Sequence, residues 1–137
     1  MNKQKLIAGL NEDLNHEIAA SLRYLLEAAI LKGLAGHEAR ELFQQEVTAE
    51  MQHAIILADK ISALGGTPLI KPETPTPITD AKKALKRELD YERQAVANYT
   101  QRIKEADECG EIGLRMELEK LVADETNHAE EIQRLMG

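Results

Sequence analysis

The chain has no tryptophan, one phenylalanine (Phe43) and three tyrosines (Tyr24, Tyr91 and Tyr99) among 137 residues. Its 43% hydrophobic content is therefore mostly aliphatic, yet too high for a disordered chain. The excess of Ala, Leu, Glu, Lys and Gln argues against a mostly sheet fold. A single cysteine, Cys109, excludes an intrachain disulfide and a cysteine-built metal site. No apolar run is long enough to span a membrane. Asn11, Glu12, Asp13 and Asn15 come too early for a secretory signal, so a soluble cytoplasmic protein is expected. Basic residues are also short: 17 against 24 acidic ones give a net charge of −7. Lys3 and Lys5 alone make no nucleic-acid-binding arm, and an acidic surface favours cations over nucleic acid.

Proline is confined to one place. Pro68, Pro72, Pro75 and Pro77 all fall in segment 67–79, which cannot be helical and reads as an extended connection. Thr79 or Asp80 is a fitting cap for the helix that follows. Gly33 with Gly36, Gly65–Gly66, and Gly110 with Gly113 supply the remaining punctuation. The spacing predicts four helices over about 3–32, 37–64, 80–107 and 111–136, each with apolar residues three and four apart. The stripes are Leu6, Leu10, Leu14, Ser21 and Leu25; Phe43, Val47, Ala54, Leu57, Ile61 and Leu64; Leu85, Leu89, Val96, Tyr99 and Ile103; and Leu114, Leu118, Leu121, Val122, Ile132 and Leu135. Short loops within each half make two antiparallel hairpins, and the long link runs the length of the bundle. The expectation is an all-α four-helix bundle with one crossover, a single domain over residues 1–137. A second apolar strip on the first helix, through Ile18, Leu22, Ala29 and Ile30, needs its own partner and suggests a dimer face.

Charge interrupts these stripes in an ordered way. Glu50 and His53 sit between Val47 and Leu57, and Glu125 and His128 sit between Leu121 and Ile132. Glu17 lies between Leu14 and Ser21, and Glu92 between Leu89 and Val96. Glu17 precedes Glu50 by 33 residues, as Glu92 precedes Glu125. Tyr24 follows Glu17 by seven residues, as Tyr99 follows Glu92. The two hairpins are thus a degenerate repeat with their polar residues at matching heights. Four carboxylates in a bundle core cannot all stay ionised without cations, because desolvation and mutual repulsion would protonate them. Two divalent metals cancel that charge: each receives an imidazole and a terminal carboxylate, and two carboxylates remain to bridge. Mixed oxygen and nitrogen donors with open positions suit iron or manganese rather than a closed zinc site.

The motifs Glu17, Glu50-Met-Gln-His53, Glu92 and Glu125-Thr-Asn-His128 resemble the ferroxidase centre of the bacterioferritin branch of the ferritin-like superfamily. The resemblance covers nearly the whole chain. It implies a di-iron site at which Fe(II) is oxidised by dioxygen or peroxide and then stored as mineral in a protein cage. It also implies Glu50 and Glu125 as bridging and Glu17 and Glu92 as terminal ligands, with His53 and His128 completing the set. Met51 stands where the family places the methionine that holds a haem across a two-fold interface; otherwise it fills an interface. Tyr24 is placed to donate a hydrogen bond or an electron near the pair, and Tyr99 to do likewise or to pack. Asp124 is placed to orient His53, or else is a solvated acid. His16 and His37 fall off the ligand face, Asp13-x-x-His16 lacks matching partners, and Cys109 reads as a loop residue.

The resemblance departs after His128. Bacterioferritins of the usual kind continue into a short fifth helix, and this sequence ends at Gly137. A dodecameric shell built from dimers is therefore expected instead of the larger cage. Two other functions share the pattern. A non-storing di-metal redox enzyme, such as a peroxide reductase or a manganese catalase-like protein, would use the same ligand types. A purely structural bundle would have to bury four carboxylates against two imidazoles, which leaves excess charge.

Overall fold

Asn2 opens the first helix by accepting a hydrogen bond from the Gln4 amide at 2.7 Å, and Asp80 opens the third by accepting from Lys83 at 2.9 Å. Each side chain thereby satisfies an amide that has no partner within the helix. The computed structural model describes residues 2–137; Met1, part of the expected domain span, lies outside the described residues. The chain forms α1 (Lys3–Ile30), α2 (Gly33–Ala63), α3 (Ala81–Glu108) and α4 (Ile112–Met136), with no strand among the described residues. The fold is all-α.

The second helix begins four residues earlier than the glycines suggested. Gly33 makes the turn alone, at φ +79°, a conformation that costs a glycine little. Gly36 is no breaker and lies buried inside α2. A Cβ there would come within 3.1 Å of the Leu31 backbone, so glycine lets the connection fold tightly over the new helix.

α1 packs along α2 and α3 along α4, while α1 faces α3 and α2 faces α4 across the bundle. α1 and α3 run antiparallel: Arg23 pairs with Glu88 and Asp13 with Arg102. The crossover returns along α1. Its prolines offer no amide hydrogens, and α1 side chains supply the missing bonds. Asn11 accepts from the Leu69 amide at 2.8 Å and donates to Thr67 O. Asn15 accepts from Lys71 at 2.6 Å and donates to Leu69 O at 2.7 Å. Arg87 then holds Thr76 O at 2.7 Å.

The core divides into two apolar clusters. One contains Leu6, Leu10, Leu14, Leu57, Ile61, Leu114, Leu118 and Leu121; the other contains Phe43, Leu31, Leu85, Leu89 and Ile132. Tyr24 belongs to the second and Tyr99 to the first. Two residues assigned to core stripes are outside. Leu25 is 57% exposed, because the step of three from Ser21 to Tyr24, not the step of four, stays on the bundle face. Leu135 is likewise exposed, and Met136 packs inward in its place. Of the second strip on α1, Leu22 and Ile30 are half-buried, Ala29 is exposed, and Ile18 leans on the core.

Candidate metal centre

Between the two apolar clusters lies a polar layer to which all four helices contribute. α1 provides Glu17, α2 provides Glu50 and His53, α3 provides Glu92, and α4 provides Glu125 and His128. The carboxylates and His53 are buried and His128 is slightly exposed. The i,i+3 spacing puts each Glu and its His on one helix face.

Each imidazole presents Nδ1 to the centre. His53 Nδ1 lies 3.2 Å from Glu125 Oε1, 3.4 Å from Glu17 Oε2 and 3.9 Å from Glu50 Oε1. His128 Nδ1 lies 3.1 Å from both Glu50 Oε1 and Glu125 Oε1 and 3.7 Å from Glu92 Oε2. Glu50 and Glu125 therefore use the same oxygen toward both rings. Those rings are nearly parallel, with centroids 6.0 Å apart.

The tyrosines bind the terminal carboxylates crosswise. Tyr24 donates to Glu92 Oε1 at 2.6 Å, and Tyr99 donates to Glu17 Oε1. One oxygen of each carboxylate is thus tied down, while Oε2 of Glu17 and of Glu92 has no hydrogen-bond partner. Glu50 Oε1, Glu125 Oε1 and both Nδ1 atoms are also without one. Buried polar atoms are rarely left unpaired. A cluster of them converging on one layer is the donor set that divalent cations require, and these residues fit an iron or manganese pair. Two four-residue groups have ligand atoms mutually within 4.8 Å: Glu17, Glu50, His53 and Glu125, and Glu46, Glu50, Glu92 and His128.

Electrostatics agree with the geometry. Among the protein groups alone, burial raises the pKa values of Glu17 and Glu50 and lifts Glu92 to about 8. Burial also opposes charge on His53, but Glu125 and Glu17 outweigh it and raise the ring to about 11. His128 is raised in the same way by Glu125 and Glu46. Glu125 is held below the usual carboxylate range despite its burial, because it faces both imidazoles. Cations entering such a layer displace protons.

Other candidates fall around this layer. Asp124 Oδ2 lies 3.0 Å from His53 Nε2, the ring nitrogen facing away from the centre. Met51 is 38% exposed, on the outer side of α2. His37 is a surface residue beside Glu41. Asp13 serves Arg102 rather than His16. His16 is exposed as expected, yet it also stands at the rim of a cavity of about 70 Å³ that reaches Glu17, Glu50, Glu92 and Glu125. Asn98, whose side chain lies 3.4 Å from His16 Nδ1, shares that rim. No motif in the sequence marks Asn98. Glu46, also outside the expected ligand set, does carry a signal: it lies four residues before Glu50, one turn away on the same face.

The ferritin-like domain model matches residues 7–137. A bacterial ferritin from Pseudomonas aeruginosa is 28% identical over 134 residues, covering 97% of this chain and 87% of the relative. A ferritin-like, diiron-carboxylate protein from Bacillus anthracis is 35% identical, with full coverage of both chains and a TM-score of 0.94. A dodecameric thioferritin from Bacteroides fragilis, described as bacterioferritin-related, is 23% identical at TM-score 0.88, covering 99% of this chain and 86% of that one. With four helices and a carboxylate–histidine layer at mid-bundle, the chain belongs to the ferritin-like family.

Proposed function

We propose that the protein is a ferroxidase. Two Fe(II) ions, as substrate, occupy the layer formed by Glu17, Glu50, His53, Glu92, Glu125 and His128. They yield electrons to dioxygen or peroxide, and the ferric product is stored or detoxified in a homo-oligomeric shell. The observation that carries this reading is the sharing of Glu50 Oε1 and Glu125 Oε1 between the two imidazoles, an arrangement that holds two cations side by side.

The residues divide the work. Glu50 and Glu125 bridge, while Glu17 and Glu92 each offer one free oxygen, their other oxygen being fixed by a tyrosine. Burial keeps Tyr24 protonated and donating to Glu92. The same hydroxyl stands close enough to the layer to supply an electron during oxidation. A cavity of about 70 Å³ at the layer admits dioxygen or peroxide and has no room for an organic substrate. Met51, exposed on α2, is positioned to hold a haem only if a second copy brings its own methionine opposite, which makes haem binding dependent on the dimer. No helix among the described residues is long and apolar enough to cross a membrane. The protein works in the cytoplasm, and its net charge of −7 favours cations over nucleic acid as partners. The dodecameric state of the Bacteroides fragilis relative supports a twelve-subunit shell here.

Replacing Glu50 by Ala should abolish fast Fe(II) oxidation, followed by ferric absorbance in stopped flow, while circular dichroism reports an intact bundle. Unchanged kinetics would overturn the assignment. Light scattering on a sizing column decides storage: a shell mass supports it, and a dimer leaves the same layer to a non-storing di-metal redox enzyme.

A further inference from the structure

The two hairpins correspond with an offset of 75 residues, which pairs Glu17 with Glu92, Tyr24 with Tyr99, Glu50 with Glu125 and His53 with His128. Within the polar layer this correspondence fails twice. Glu46 stands where the second hairpin has Leu121, and Asp124 stands where the first has Ala49. The two halves of the layer are therefore chemically different.

Around His53 Nδ1 there are three carboxylate oxygens, and Asp124 backs the ring. Around His128 Nδ1 there are four, and the nearest belongs to Glu46, at 2.7 Å. Glu46 is only 5% exposed, and its Oε2 has no hydrogen-bond partner. Among the described residues no lysine or arginine pairs with it. Its charged neighbour is the His128 ring, and once that Nδ1 is given to a cation the buried carboxylate is costly unless the same cation takes it. Leu121, its counterpart, is buried in the apolar core, so the layer has a polar extension on one side only.

We propose that Glu46 is a metal ligand: an additional carboxylate for the His128 side of the pair, which makes that position the first to fill with a divalent cation. The inference rests on the di-metal reading of the layer and adds to it an inequivalence of the two positions. The extra negative charge within contact distance of one cation, in a buried layer, strengthens binding there far more than at the other.

Titration of the full chain with Co(II), followed by calorimetry and visible absorption, tests this. The wild type should take up two ions in unequal steps. His128→Ala should lose the tighter step and His53→Ala the weaker. Glu46→Gln, which preserves size, should weaken the tighter step about tenfold or more and leave the other unchanged. Circular dichroism checks that each variant is folded. Two equal steps in the wild type, or a Glu46→Gln titration identical to the wild type, would overturn the role of Glu46 while leaving the di-metal reading intact. No Co(II) uptake by the wild type would sink both.

Discussion

Asp124 Oδ2 lies 3.0 Å from His53 Nε2, while Nδ1 of the same ring faces Glu17 and Glu125. A proton on Nε2, donated to Asp124, leaves Nδ1 as the lone-pair donor toward the layer and fixes the ring plane. Asp124→Ala should weaken divalent-metal binding on the His53 side about 10- to 100-fold, with the His128 side unaffected. Asp124→Asn, which keeps an acceptor, should recover part of the loss. Calorimetric titration of both variants measures this, and equal affinity in Asp124→Ala would refute the orienting role.

The crossed tyrosine bonds tie the hairpins together at the layer. Tyr24 on α1 donates to Glu92 on α3, and Tyr99 on α3 donates to Glu17 on α1. Tyr24→Phe and Tyr99→Phe should each cost about 1–2 kcal/mol in urea unfolding of the metal-free protein, because a buried carboxylate oxygen loses its donor. A loss of neither would show that the hydroxyls are energetically idle.

Glu27, remote from the layer, reports on pH. Arg87 holds its Oε1 at 2.8 Å, and Glu88, itself gripped by Arg23, lies beside it. Burial, reinforced by Glu88, raises the Glu27 carboxyl to about 9. The folded protein thus keeps a proton that the unfolded chain releases in the ordinary carboxylate range. The resulting stability is complete below that range and is lost as pH rises toward about 9. Glu27→Gln, which mimics the protonated acid, should flatten the fall in Tm between pH ~5 and ~9 relative to the wild type. Parallel slopes in the two proteins would contradict this.

Leu25 and Ile55 are 57% and 48% exposed on the paired helices α1 and α2, and Met51 is exposed on the same hairpin. Large apolar groups on one hairpin's outer side favour contact with another copy. Leu25→Glu should therefore lower the solution mass by light scattering with helicity unchanged. A variant that assembles like the wild type would place the subunit contact elsewhere.

Helical periodicity revealed the four helices and most of the residues that share a face within each, and the prolines marked the crossover, but Leu25 and Leu135 fell on core stripes by spacing and are exposed. Glu50 with His53, and Glu125 with His128, were readable because a spacing of three returns to the same face of a helix. The matching 33-residue intervals then set their heights. Periodicity cannot report how neighbouring helices are rotated against one another, since that depends on which side chains interlock across the bundle. Packing chose Tyr24 over Leu25 for the core, and it turned Glu46 toward His128 while its counterpart Leu121 entered an apolar cluster. It also used Asn11 and Asn15 to bond a crossover that has few amides of its own to pair. Contacts within a helix follow from residue spacing, whereas contacts between helices exist only once the bundle has closed.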